Sequence, residues 1–377
     1  MNGIDGVSHV PVTDLLYRRA AACRYPLSTT FELSPLCNFN CRMCYVRKSA
    51  EEVAESPRPC LRLENFQRLA RDAREAGTLY LLLTGGEPFL WPGFWPLYEE
   101  LADMGMLVSV NTNGSLIDRA AVKRLKKRPP KQINITLYGA GDETYERLCG
   151  VKNAYSRVRE AISMLTEAEI SVKLNCSLTP YNAADLEAMM AYAEQMHLRI
   201  DVTTYMFPPI RKSAAMTGRN DARFTPEQAA AYRLEVFRRQ STPEQYEQLL
   251  RQVREGTIPP PGLDEHCVDP ADGKIRCRAG KATSWITWDG YMTPCGLMPE
   301  PRADITALSF AEAWNQLTEQ CDRIHLSGTC DACPNLGICH PCAAMACAET
   351  GRPEGIPKYL CETTRALREL AFAGSKK

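Results

Sequence analysis

The chain has 377 residues, of which 45% are apolar and 24% charged, and its 45 basic and 45 acidic residues give a formal net charge of zero. This is the make-up of a globular enzyme with room for one large α/β domain and a smaller one, and it excludes partnership with nucleic acid or an acidic membrane surface through a strong basic field. No apolar stretch approaches bilayer-spanning length, and the opening MNGIDGVSHVPVTDLL lacks the basic and apolar regions of a signal peptide, so a cytoplasmic location is expected.

Taken in order, residues 1–27 form an N-terminal segment, and 28–34 (STTFELS) read as a β-branched and aromatic strand. Residues 62–76 place Leu63, Phe66, Leu69, Ala70 and Ala73 at helical spacing. The run 79–84 (LYLLLT) ends in Gly85-Gly86 and reads as a strand buried on both faces, as in parallel sheets. A helix near 94–104, a strand at 106–112 (MLVSVNT), a helix capped by Asp118, and a strand at 132–138 (QINITLY) follow. A helix at 154–168, a strand at 171–178 (SVKLNCSL), a helix carrying Leu186, Met189, Met190 and Ala193, and a strand at 199–205 (RIDVTTY) close the series. Six strands alternating with helices predict a parallel sheet with right-handed crossovers, hence a partial (β/α)6 TIM-type barrel over 28–206. Cys37, Gly85, Asn111 and Tyr138 fall at the C-terminal ends of predicted strands, where barrel active sites lie. Residues 207–265 read as an irregular and helical connection, and 266–377 as a cysteine-rich domain. The basic stretch 123–131 (KRLKKRPPK) reads as a solvated helix end running into a turn.

The 17 cysteines are unevenly placed. In a reducing compartment such residues ligate metals or react as thiols rather than form disulfides. Cys37, Cys41 and Cys44 share one short loop, while Cys267, Cys277, Cys295, Cys330, Cys333, Cys339, Cys342, Cys347 and Cys361 crowd the last third, which points to two separate sites. Thiolates suit zinc or iron–sulfur clusters. A closed structural site takes four ligands, so three with no obvious fourth leave a metal position open. The competing reading of CxxxCxxC, and of the later CxxC pairs, is zinc.

The segment CNFNCRMCY (37–45) resembles the signature of the radical S-adenosylmethionine (SAM) family, C-x-x-x-C-x-x-C followed by an aromatic residue, here Tyr45. Gly85-Gly86-Glu87-Pro88, one strand later, resembles the family's GGEP motif that binds the SAM amino group. The resemblance implies a [4Fe–4S] cluster on Cys37, Cys41 and Cys44 whose fourth iron chelates SAM, and a 5′-deoxyadenosyl radical that takes hydrogen from a substrate. It places Asn111, Asn113 and Thr136 as further SAM contacts, against the alternative of turn and cap residues.

The pattern Cys277-x12-Gly290-x4-Cys295, then Cys330-x2-Cys333-x5-Cys339-x2-Cys342 and Cys361, resembles the SPASM extension of this family. That implies two auxiliary [4Fe–4S] clusters, one on Cys267, Cys277, Cys295 and Cys342, the other on Cys330, Cys333, Cys339 and Cys361. Here Cys339 and Cys342 are two residues apart where three are usual, and Cys347 is a spare that can exchange with Cys342. The segment WITWDGYMTPC predicts a hairpin with Asp289-Gly290 as its turn.

The resemblance runs from about Thr29 to Cys361 and implies a peptide or protein substrate undergoing oxidation, thioether or carbon–carbon crosslinking, or epimerisation. It further implies an electron donor such as flavodoxin or ferredoxin. The stretch before the first strand is too short for a leader-binding domain, so a separate leader-binding protein is expected for a leader-bearing substrate. Gly296 after Cys295, where sulfatase-maturing relatives carry an acid, disfavours that activity. The alternatives are radical SAM modification of a small molecule or tetrapyrrole, and a non-catalytic metal-binding protein. An epimerase needs a hydrogen-donating thiol, for which Cys149, Cys176, Cys321 and Cys347 are available, although each also reads as a small buried hydrophobe. Tyr205, Arg211 and Arg219 are candidates for a substrate path, and the five histidines form no ligand set, with His266 and His340 adjoining cysteines.

Overall fold

The computed structural model describes residues 11–257 and 274–373. An N-terminal helix α1 (Val12–Cys23) leads into β1 (Ser28–Glu32), followed by the cysteine loop, a short α2 (Ala50–Ala54) and α3 (Leu63–Glu75). Then come β2 (Tyr80–Thr84), α4 (Phe94–Asp103), β3 (Leu107–Thr112), α5 (Arg119–Lys127), β4 (Gln132–Thr136), α6 (Asp142–Cys149) and α7 (Ala154–Glu167). The series ends with β5 (Val172–Ser177), α8 (Leu186–Gln195) and β6 (Ile200–Thr203). All five neighbouring pairs from β1 to β6 are parallel. The helices bury the stripes that their spacing dictates: Phe66, Leu69, Ala70 and Ala73 of α3, and Val158, Ile162 and Leu165 of α7, are shielded from solvent against the sheet.

Beyond β6 the chain is irregular to α9 (Pro226–Gln240) and α10 (Pro243–Glu255). The C-terminal part holds β7 (Thr283–Ile286), β8 (Tyr291–Thr293), β9 (Ala303–Asp304), α11 (Phe310–Cys321), α12 (Gly328–Asp331), α13 (Leu336–Cys339), α14 (Ala343–Thr350) and α15 (Lys358–Ala373). Its strands do not form a sheet of their own. β7 pairs with β1 in parallel, Ser28 opposite Thr283, and the nine strands run in the order β6-β5-β4-β3-β2-β1-β7-β8-β9. The architecture is an α/β partial barrel with a cysteine-rich C-terminal region. β7 and β8 form the expected antiparallel hairpin, with Trp285 opposite Thr293. Its turn spans four residues rather than two: the Gly290 N–H donates to the Thr287 carbonyl at 3.0 Å, and Gly290 takes a φ of 89°, which only glycine adopts freely.

Candidate functional site

The loop after β1 is fixed from two sides. Asn40 and Arg42 donate their N–H groups to the carbonyls of Cys149 and Leu148 at 2.8 and 3.0 Å, which satisfies orphan acceptors in the last turn of α6. On the other side, the Gly86 N–H donates to the Ser34 carbonyl at 2.7 Å and the Glu87 N–H to the Leu36 carbonyl at 2.9 Å. At Gly86 a Cβ would stand 2.8 Å from the Pro35 oxygen and 2.5 Å from the Leu36 carbonyl carbon, closer than real contacts allow. The two glycines are therefore needed where backbone meets the cysteine loop itself.

The loop faces a cavity of about 320 Å³ at the C-terminal ends of the strands. Cys37, Cys41 and Cys44 line it together with Tyr45, Gly85, Gly86, Asn111, Asn113 and Thr136, as do Tyr138 and Tyr205. Residues without a local sequence signal complete it: Trp285 arrives from the C-terminal hairpin and Leu297 from the segment after it, and Arg47 is its charged lining residue, with a buried Nε that has no hydrogen-bond partner. The sulfurs of Cys37 and Cys44 accept N–H groups of Phe39 and Arg47, each at 3.3 Å. Burial pushes the Cys37 thiol up to about 12 and also raises Cys44. Cys41 moves the other way, drawn down by hydrogen bonding to Cys149 more than burial lifts it, with Tyr138 adding to the pull. Burial keeps the Tyr45 hydroxyl neutral against the pull of the Arg211 guanidinium.

Glu87 and Pro88 stand apart from the other expected residues because they are not among the cavity's lining residues. The Glu87 carboxylate, 1% exposed, accepts the Phe89 N–H at 3.1 Å, the Thr112 hydroxyl at 2.8 Å and the Asn113 N–H at 2.8 Å. It ties the end of β2 to the end of β3, and burial pushes its pKa up to about 7 despite the three donors.

Under the cavity lies a buried ion pair. Glu32, at the end of β1, accepts both Arg211 Nη atoms at 2.6 and 2.8 Å and the Trp285 indole N–H at 2.9 Å, while Arg211 also donates to the Gly296 carbonyl at 3.0 Å. Arg211 is therefore committed to the Glu32 carboxylate, and Arg219 is exposed. A lone acid inside the apolar run STTFELS was the available signal for this pair. A second buried pair flanks the cavity: Arg223 donates to Glu349 at 2.6 Å, and the Tyr205 hydroxyl donates to the same oxygen at 2.6 Å.

In the C-terminal region the thiols fall into two sets. Cys277 and Cys295 both sense the Cys342 sulfur: burial first, and then that neighbour, push Cys277 to about 11 and Cys295 to about 12. Cys330, Cys333, Cys339 and Cys361 form the other set, in which burial and then the neighbouring thiols push Cys339 to about 11. Cys267 and His266 lie outside the described residues. Cys347 sits buried on α14 and senses Cys342 alone among the thiols. Cys149, Cys176 and Cys321 are buried, and none of the four spare cysteines is among the lining residues of the cavity. Among the described residues no three His, Cys, Asp or Glu side chains converge as a single-ion site.

A parallel α/β partial barrel with three cysteines at the mouth after its first strand defines the class. Residues 31–193 match the model of the radical SAM superfamily, and this part of the chain is a radical SAM domain. Among curated proteins, the chain is 22% identical over 340 residues to the AdoMet-dependent heme synthase of Methanosarcina barkeri, covering 86% of this chain and 93% of that one. It is 28% identical over 165 residues to the antilisterial bacteriocin subtilosin biosynthesis protein AlbA of Bacillus subtilis, covering 44% of this chain and 36% of AlbA. Among solved structures, SuiB of Streptococcus suis bound to its precursor peptide SuiA superposes with a TM-score of 0.66 at 16% identity, covering 96% of this chain and 83% of SuiB. At that identity the likeness is one of fold.

Proposed function

We propose that this chain is a radical SAM enzyme that abstracts hydrogen from a peptide or protein and completes an oxidation or a thioether or carbon–carbon crosslink. The observation that carries the reading is that Cys37, Cys41 and Cys44 share one cavity with Gly85, Gly86, Asn111, Asn113, Thr136 and Tyr45. The residues fit a thiolate-held cluster: three sulfurs come from one anchored loop, and backbone N–H groups donate to two of them. Cys37, Cys41 and Cys44 would hold the SAM-binding [4Fe–4S] cluster, and Tyr45, Gly85, Gly86, Asn111, Asn113 and Thr136 would hold SAM. When bound, the pair supplies a 5′-deoxyadenosyl radical. The chain's own part is to position and enclose. Aromatic walls from Tyr138, Tyr205 and Trp285 enclose the cavity, and the Glu32–Arg211 pair holds the Trp285 wall through the indole N–H.

Two auxiliary [4Fe–4S] clusters would be held by Cys277, Cys295, Cys342 and Cys267, and by Cys330, Cys333, Cys339 and Cys361, as a SPASM domain. The grouping of the seven described thiols into these two sets supports that assignment. Clusters held by these thiols would supply an acceptor for the electron left after hydrogen abstraction. Epimerisation, the remaining outcome of the family, draws less support, because among the described lining residues no thiol stands besides Cys37, Cys41 and Cys44. Substrate delivery by a separate leader-binding protein and reduction by a flavodoxin or ferredoxin complete the proposal. Among the described residues no helix is long and apolar enough to cross a membrane.

The peptide class rests on the likeness to SuiB with its precursor peptide and to the bacteriocin biosynthesis protein. A second reading, a tetrapyrrole or other small molecule, is favoured by the heme synthase likeness spanning 93% of that relative. Anaerobic reconstitution with iron and sulfide counting tests the cofactor set, with about twelve irons per chain expected for three four-iron clusters. Formation of 5′-deoxyadenosine from SAM under a strong reductant separates both enzyme readings from a non-catalytic metal protein. Product analysis with a peptide against a tetrapyrrole separates the two enzymes. Zinc in place of iron in oxygen-free protein would overturn the proposal.

A further inference from the structure

Beside the cysteine loop, three polar side chains close a hydrogen-bonded ring. Asn113 Nδ2 donates to Asn38 Oδ1 at 2.9 Å and reaches the Cys37 sulfur at 3.8 Å. Asn38 Nδ2 donates to Ser115 Oγ at 2.9 Å. Ser115 closes the circuit, its hydroxyl donating to Asn113 Oδ1 at 2.7 Å and its backbone N–H to the same atom at 2.9 Å. Asn113 and Ser115 are 5% and 9% exposed, so water offers little competition.

The ring fixes which way each amide points. Turning the Asn113 amide over would set its NH2 against two Ser115 donors and its oxygen against the Asn38 oxygen, three like-with-like contacts in a buried site. The amide oxygen is thus occupied twice, one amide hydrogen goes to Asn38, and the other is left to the Cys37 sulfur. Asn113 lines the cavity, yet its side chain is already spent on the cysteine loop.

We infer that the Asn38–Ser115–Asn113 ring holds an amide N–H on the Cys37 sulfur and thereby sets the reduction potential of the cluster bound there. The inference rests on the cluster reading above. A donor at a ligand sulfur stabilises the extra negative charge of the reduced cluster, so its loss shifts the potential downward. Asn38 and Ser115 act as positioning residues: neither is among the residues lining the cavity, and each works through Asn113.

The test is a redox titration, followed by electron paramagnetic resonance, of the reconstituted protein and of Ser115→Ala, Ser115→Thr and Asn113→Asp. The signal to follow is the one that changes on adding SAM, which separates it from any auxiliary cluster. Ser115→Ala, which frees the amide to turn, and Asn113→Asp, which keeps the shape but removes the donor, are expected to shift that potential downward at unchanged iron content. Ser115→Thr, which retains the hydroxyl, is expected to return it to the parent value. Parent potentials in both Ser115→Ala and Asn113→Asp, with iron intact, overturn the inference. Should Asn113→Asp fail to take up iron, Ser115→Ala decides alone. Absence of any SAM-responsive signal in the unmodified protein would instead sink the cluster reading.

Discussion

Replacing Gly86 by alanine tests how the two motifs are built into one another. The new methyl group would stand 2.5 Å from the Leu36 carbonyl carbon and 2.8 Å from the Pro35 oxygen, both backbone atoms that no rotamer change can move aside. Relief requires the loop to withdraw, which stretches the hydrogen bonds from the Gly86 N–H to Ser34 at 2.7 Å and from the Glu87 N–H to Leu36 at 2.9 Å. Overpacking costs about 1–3 kcal/mol, and two weakened backbone hydrogen bonds add about 1 kcal/mol each, so the total is roughly 3–5 kcal/mol. For a chain of 377 residues that corresponds to a fall in Tm of roughly 4–6 °C. Gly141→Ala is the control, because a Cβ there meets nothing within 4 Å and its φ is not positive. Calorimetry of the apo chain reads the loss, and iron uptake by the Gly86→Ala variant should fall with it because the displaced segment leads directly into Cys37. Equal unfolding temperatures for Gly86→Ala and Gly141→Ala would refute the reasoning.

Three further outcomes are expected. Glu87 has a pKa near 7 in the folded chain against an ordinary value of 4.5, so between those pH values the folded chain keeps a proton that the unfolded chain has lost. Stability therefore falls as pH rises through that window, by about 3 kcal/mol. Urea titrations at pH 5 and pH 8 should show the slope in the parent and its loss in Glu87→Gln; an unchanged slope would contradict the burial argument. Arg223→Met should cost about 3–5 kcal/mol, because it strands the Glu349 carboxylate, whose side chain is 5% exposed, while adding Glu349→Leu should recover most of the loss. A double-mutant cycle measures this, and additive losses would count against it. Cys342→Ala should remove about four irons from the reconstituted protein, whereas Cys347→Ala should leave the count intact, and the reverse result would exchange their roles.

The series of βα units was legible because β2 is an apolar run, the other strands are β-branched or alternate apolar with polar residues, and each helix carries a stripe, and local periodicity is all that assignment needs. The contents of the mouth were legible for a related reason: CNFNCRMCY and GGEP each lie within a few residues, so their chemistry survives as a local pattern. Glu87 shows the limit of that legibility. Its motif indicated a ligand contact, yet its carboxylate serves the junction of β2 and β3, because the partners Thr112 and Asn113 come from a different strand. Trp285 carried no signal of its own, and Arg211, a candidate for a substrate path, is instead engaged by a buried carboxylate. Each is placed by Glu32, 253 and 179 residues away in the chain.

Sequence alone determined the alternation of strands and helices, the three-thiol loop, the glycine pair and the presence of a second cysteine-rich region, since all of these depend on neighbours in the chain. The tertiary structure decided that β7 joins the barrel sheet beside β1, that the hairpin and the segment after it supply Trp285 and Leu297 to the cavity, and that Asn113 is turned toward Cys37 rather than left free. Those outcomes depend on strand pairing and amide orientation between segments far apart in the chain. Their energies come from burial and from pairing polar groups across distant segments, and no stretch of sequence read by itself contains them.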